Sequence, residues 1–278
     1  MSKMMPGIAE QVANGIVRIV APNGGMMTGP GTNTYVLGHT AFAVIDPGPA
    51  MPEQTDAIIR YTGDKLRWIL VTHTHRDHSP GAQALHEMTG ARLIGLPPPD
   101  APLQDKTFVP DYQPADGEVL NLRDFQLQAI HTPGHASNHV CYLEQSGGML
   151  FSGDHINQGS TVVIAPPDGS MSLYLGSLER LKGYPLRAIA PGHGSIIDEP
   201  RLAIDRLINH RRAREARTLR LVEKNPGLTV EALTTKVYTD VSSLLHEIAQ
   251  QSLLAHLLKL ADDGEVVQLP DKGWVVNT

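Results

Sequence analysis

His73-Thr74-His75-Arg76-Asp77-His78 gathers three imidazoles and a carboxylate into six positions, one residue beyond the apolar run Trp68-Ile69-Leu70-Val71. That run is short and rich in β-formers, which predicts a buried strand with the cluster at its carboxyl end. Polar rings collected beside a buried strand are costly unless something pairs with them. A divalent cation meets that need with the fewest groups. Residues two apart in an extended segment point the same way, so His73 and His75 can hold one ion together. Asp77 and His78 fall where the chain turns toward a helix, with Pro80 suited to its first position, and should face a second, adjacent ion. The bland alternative, a solvated polar loop, leaves the coincidence of ligand types unexplained.

A pair of ions needs further ligands, and they should come from other strand ends. Thr132-Pro133-Gly134-His135 follows the strand-like Phe125 to Ile130 and supplies His135. Phe151-Ser152-Gly153-Asp154 follows Met149-Leu150 and supplies Asp154, a carboxylate able to bridge two cations. Pro191-Gly192-His193-Gly194 follows Leu186 to Ala190 and supplies His193. Each sits among Gly or Pro, which let the backbone turn sharply and approach an ion closely.

With these motifs in series, the chain resembles the metallo-β-lactamase superfamily over nearly all of residues 1–200. The resemblance implies an α/β fold, a four-layer αββα sandwich with a dinuclear site along one edge of its two sheets. It also implies the ligand sets: His73, His75 and His135 on the first metal, Asp77, His78 and His193 on the second, and Asp154 bridging. Asp46, in Val44-Ile45-Asp46-Pro47-Gly48, matches a family motif whose aspartate braces the loop under the site. A His/Asp set accepts zinc, manganese or iron; Zn2+ is expected, two per chain, with Mn2+ or Fe2+ as the alternatives.

Of the thirteen histidines, five belong to that site. His139 either hydrogen-bonds behind a ligand or caps the next strand, and His155 either lines the pocket or packs structurally. His86, His210, His246 and His256 fall in helical stretches as surface or packing residues.

Composition narrows the class. The chain has 278 residues, 41% hydrophobic and 19% charged, an ordinary globular balance. Its net charge of -6 argues against a globally basic nucleic-acid binder. Met1 to Glu10 carries only Lys3 and is interrupted by Pro6, so no secretory signal is expected. No apolar run approaches membrane-spanning length. Cys141 is the sole cysteine, expected as a buried, inert thiol. A cytoplasmic protein without a membrane partner is expected.

Strands are predicted at Ile16–Val20, Thr34–Leu37, Ala41–Ile45, Glu118–Leu122 and Phe125–Ile130, and helices at Pro52–Tyr61, Ser79–Thr89 and Ser170–Lys182. Around Pro200 the texture changes. Helical periodicity takes over through Arg201–Glu223, Thr229–Tyr238 and Val241–Ala261, and a hairpin closes the chain at Glu265–Leu269 and Trp274–Val276. The chain thus divides into a catalytic domain, 1–200, and a module, 201–278, that resembles a winged helix. Seven arginines between 201 and 220 form either a basic stripe for a phosphate backbone or a solvated face with internal ion pairs. The module's eleven basic and ten acidic residues favour the second. Such a module can also dimerise the chain or wall the active site.

The expected function is a metal-dependent hydrolase in which a hydroxide bridging two metals attacks an ester, thioester, lactone or phosphodiester, with Asp77 orienting the nucleophile as well as ligating. A small-molecule acyl substrate is favoured over RNA. The alternatives are an endoribonuclease acting on single-stranded RNA and a mononuclear-iron persulfide dioxygenase. Asn23 to Gly31, rich in glycine, is either a flap over the site or a plain surface loop, and Tyr174 either faces substrate or packs in its helix.

Overall fold

The computed structural model describes residues 4–277. Packing divides the chain into two compact units, and the division follows contacts rather than chain order. The first comprises 1–132, 138–162 and 184–201; the second comprises 133–137, 163–183 and 202–278.

The first unit holds two sheets. One has six strands in chain order, β1 (Ala9–Ala13), β2 (Ile16–Val20), β3 (Asn33–Leu37), β4 (Phe42–Ile45), β5 (Leu66–Leu70) and β6 (Arg92–Ile94). Its first four strands pair antiparallel, and β4, β5 and β6 run parallel. Between them come helices α1 (Pro52–Thr62) and α2 (Gly81–Thr89). The second sheet has five: β7 (Val119–Leu122), β8 (Phe125–His131), β9 (Val140–Glu144), β10 (Met149–Gly153) and β11 (Ala188–Pro191). Here β11 joins β10 in parallel and the rest are antiparallel.

The central strands of the first sheet are buried on both faces, which is why they read as continuous apolar runs. Alternation then sorts their side chains. Val36, Val44, Ile69 and Val71 pack with Ile58 of α1 and Leu85 of α2. Tyr35, Leu37, Ile45 and Leu70 pack with Leu127, Ala129, Val140, Tyr142 and Phe151 of the second sheet. Each such fully buried Leu or Ile contributes about 2 kcal/mol. Hydrogen bonds tie the sheets together at their strand ends, three of them as follows. Val140 N–H donates to the Thr72 carbonyl (2.7 Å), the Tyr142 hydroxyl to the Val71 carbonyl (3.1 Å) and Asn33 N–H to the Gly192 carbonyl (2.8 Å).

The second unit contains α3 (Met171–Leu181), α4 (Pro200–Lys224), α5 (Val230–Val237), α6 (His246–Asp262) and the hairpin β12 (Val266–Gln268) and β13 (Trp274–Val276). Its core gathers Val222, Leu233, Val237, Leu253, Leu257, Leu260, Val266 and Trp274. The arginine stripe of α4 is largely consumed inside this unit. Arg211 is buried over the Tyr174 ring (5.3 Å), and Arg214 grips Asp240 with two bonds of 2.8 and 2.9 Å. Arg217 bonds Thr239 and Arg212 pairs with Glu179.

Several expectations shift. Val71 lies just past β5 rather than inside it, and Pro80 is the N-cap of α2, not its first helical residue. Val241–Ala261 is a 3₁₀ turn at Ser243–Leu245 followed by α6, not one helix. The sequence does not mark β1 or β6: β1 is mostly exposed and β6 has only three residues, so neither shows a periodic burial pattern. Tyr174 is fully buried and packs rather than facing substrate. Cys141 is a buried free thiol, its pKa pushed up to about 12 by burial. Among the described residues, no helix is long and apolar enough to cross a membrane.

Candidate metal centre

The parallel neighbours β4 and β5, and likewise β10 and β11, end together, and the turns that follow them carry the polar side chains. Asp46 comes straight after β4, in the left-handed region (φ 51°), a conformation Asp tolerates better than most residues. Its buried carboxylate accepts three hydrogen bonds, from Thr72 N–H (2.7 Å), the Thr72 hydroxyl (2.7 Å) and His78 Nδ1 (2.9 Å). The last bond fixes the proton of His78 on Nδ1 and leaves the lone pair on Nε2.

That Nε2 is buried and makes no hydrogen bond. It lies 3.5 Å from Asp77 Oδ2 and 3.5 Å from Asp154 Oδ1. His193 meets the same two oxygens with its own Nε2, at 3.2 and 3.3 Å, while its Nδ1 faces the Gly31 carbonyl at 3.2 Å. The ligand-type atoms of Asp77, His78, Asp154 and His193 all fall within 4.8 Å of one another. Four ligands placed about 2.1 Å from a tetrahedral ion stand about 3.4 Å apart, so the spacing fits a shared cation. Gly192 completes the cradle: a Cβ there would come within 2.7 Å of Asp154 Oδ1 and 2.8 Å of His78 Cε1.

The electrostatics of the metal-free site agree. Burial opposes charge on His193, but Asp154 and Asp77 overcome it and raise its pKa to about 10. Burial likewise opposes charge on His78, and Asp77, Asp154 and Asp46 hold it well above the ordinary range. Burial would lift the pKa of Asp77 and Asp154, yet the two imidazoles keep both below the usual carboxylate value.

Two more predicted residues stand beside this cluster. The Thr72 hydroxyl gives its proton to Asp46 and so accepts from His73 Nδ1 (3.1 Å), which leaves the His73 lone pair on Nε2. His73 Nε2 faces His75 Nδ1 across 3.0 Å. His135 lies on 133–137, which packs in the second unit; there its Nδ1 donates to the Val163 carbonyl at 2.7 Å, the contact that sets its tautomer.

The open histidines resolve. His139 bonds Thr132 Oγ1 (2.9 Å) and stacks on His73 at 5.0 Å, so it backs a candidate ligand. His155 is wholly buried against His139, a packing position. Sequence reading passed over Thr72 and Asn157. The Asn157 amide donates to Asp154 Oδ1 (3.0 Å) and its oxygen accepts from His193 N–H (3.1 Å). The only local hint was its place three residues after Asp154.

The fold and site can now be set beside known proteins. A family model described as Metallo-beta-lactamase superfamily matches residues 27–193, and one described as Beta-lactamase associated winged helix domain matches 229–274. The chain belongs to the metallo-beta-lactamase superfamily, a hydrolase family, with a winged helix domain following the catalytic region. It is 29% identical over 283 residues to a Beta-lactamase-like protein 2 homolog of Drosophila melanogaster, covering 95% of this chain and 93% of that one. It is 30% identical over 277 residues to an Atrochrysone carboxyl ACP thioesterase of Aspergillus novofumigatus, covering 92% and 82%. In structure it is similar to a Beta-lactamase domain protein from Burkholderia ambifaria, with a TM-score of 0.84, 19% identity and coverage of 99% and 96%. That likeness, at such low identity, speaks for the fold.

Proposed function

We propose that the protein is a dinuclear metallo-hydrolase that cleaves an ester, thioester or lactone bond in a small acyl substrate. The observation that carries this reading is the convergence of Asp77, His78, Asp154 and His193, with the His78 lone pair buried and turned toward both carboxylates. In this reading these four residues would hold one ion, and His73, His75 and His135, with Asp154 as a common ligand, would hold a second. Zn2+ is the favoured metal. When bound, such ions acidify water and supply hydroxide near neutral pH.

The chain's own groups then have separate tasks. Asp77 keeps 29% of its side chain exposed against 13% for Asp154, so it is the carboxylate placed to meet incoming water and orient it. Asp46 and Thr72 hold His78 and His73 in their ligating tautomers. Asn157 holds Asp154 against His193. Support for an acyl substrate comes from the thioesterase named among the relatives. The arginines of α4 that are engaged inside their own unit speak against RNA.

Metal analysis of the purified protein, with parallel assays on thioester, lactone, aryl phosphodiester and single-stranded RNA, tests the proposal. Acyl hydrolysis that vanishes in Asp154→Ala is the expected result. RNA cleavage with inert acyl substrates would transfer the chain to the nuclease class.

A further inference from the structure

We infer that Ser252, within the winged helix domain, is a positioning residue for His135; this rests on the reading of His135 as a metal ligand. The link runs through one peptide group. The Ile164 N–H donates to Ser252 Oγ at 3.1 Å, and the Val163 carbonyl accepts from His135 Nδ1 at 2.7 Å. These N–H and C=O groups belong to the same peptide bond, which is planar and stiff. Turning one end turns the other. Ser252 on α6 therefore sets the direction in which the Val163 oxygen points, and with it the tautomer and tilt of the His135 ring.

The surroundings explain why a hydrogen bond is needed there. The segment before His135 is held from behind by α3: Ser170 N–H donates to the Gly134 carbonyl (2.8 Å) and the Ser177 hydroxyl to the Pro133 carbonyl (2.8 Å). Gly134, at φ +147°, lies so close to Tyr174 that a Cβ would stand 2.3 Å from its Cα. These contacts fix the backbone of the segment, and the bond from His135 Nδ1 to the Val163 carbonyl orients the ring. On the far side, Pro166, Pro167 and Met171 border a cavity of about 330 Å³ with Ala255 and Leu258 of α6. Ile164 is itself fully buried, and the bond its N–H gives to buried Ser252 adds direction to that packing.

The test titrates metal-free wild type, Ser252→Ala, Ser252→Thr and His135→Ala with Co2+ and with Zn2+, reading affinity against a chelator and the visible absorption of the cobalt forms. Ser252→Ala is expected to bind one of its two ions about 10- to 100-fold more weakly, with altered absorption for that ion alone. Ser252→Thr, which keeps the hydroxyl, should restore both. His135→Ala should lose the same ion entirely. Wild-type affinity and spectrum in Ser252→Ala, beside a His135→Ala that lacks one ion, overturns the role of Ser252 only. Retention of both ions by His135→Ala overturns the ligand reading and this inference together. If Ser252→Ala does not fold, Ser252→Cys, close in volume but a poor acceptor, gives the same readout, and wild-type behaviour there refutes the role.

Discussion

His78 donates from Nδ1 to Asp46 Oδ2 across 2.9 Å, and Asp46 makes that bond from a left-handed backbone one residue beyond β4. The pairing holds a proton of His78 on Nδ1 and turns Nε2 toward two carboxylates. Asp46→Ala should therefore do two things. It strips partners from His78 and from Thr72 N–H, costing about 1–3 kcal/mol of stability for each buried donor left unmade. It should also weaken metal binding by about 10- to 100-fold. Urea denaturation of the metal-free protein and a competitive zinc titration measure the two effects separately; unchanged affinity would remove Asp46 from the site's support.

His75→Ala tests the other half of the site. His75 Nδ1 faces His73 Nε2 at 3.0 Å, a spacing that suits two lone pairs on one cation. Loss of metal occupancy together with loss of turnover is expected, by elemental analysis and by the hydrolysis assay. Full activity with both ions retained would contradict the assignment.

Gly192→Ala is a steric experiment. The new methyl would meet Asp154 Oδ1 at 2.7 Å and His78 Cε1 at 2.8 Å, both side chains that are otherwise held in place. The expected variant folds, as judged by circular dichroism, and binds one ion fewer than wild type. A variant with wild-type stoichiometry would show that the cradle is looser than these distances require.

The pH dependence of the metal-free protein follows from His193. Its folded pKa is about 10 against an ordinary value of 6.5. The stabilisation it gives is complete below pH 6.5 and is lost as pH rises through about 10. Asp77, whose pKa is lowered, contributes in the opposite sense: its share is present above the ordinary carboxylate value of 3.8 and lost as pH falls through its folded value. Metal loading near neutral pH must displace the protons of His193 and His78, so zinc binding should release protons and tighten as pH rises. Calorimetry in buffers of different ionisation enthalpy reads that release directly, and a proton count of zero would refute it.

Much of the site was legible because its code is local. A strand end followed by a turn with Gly or Pro is a pattern of a few residues, and it pointed to the candidate ligands, whereas Asp46 came from the family resemblance. The strands with a burial signal were legible for the same reason, Ile16–Val20 to the residue. β1 and β6 were not, because a short strand is defined by the neighbour it pairs with and its own sequence does not name that neighbour. Asn157 was invisible as a brace, since one of its partners, the His193 backbone, lies 36 residues away in the chain.

By itself, then, the sequence determined which side chains are ligand-like, that they stand at strand ends, and that a helical tail with a closing hairpin follows them. Tertiary structure decided the rest. It set the tautomers of His73, His78 and His135 through Thr72, Asp46 and the Val163 carbonyl. It spent several arginines of α4 on Tyr174, Asp240 and Thr239. It also packed 133–137 and 163–183 with 202–278, across any boundary that composition suggests near Pro200. The physical reason is range: turn chemistry and side-chain alternation act between neighbours in the chain, whereas a proton's place on a ring or an arginine's partner depends on groups that only folding brings within hydrogen-bond distance.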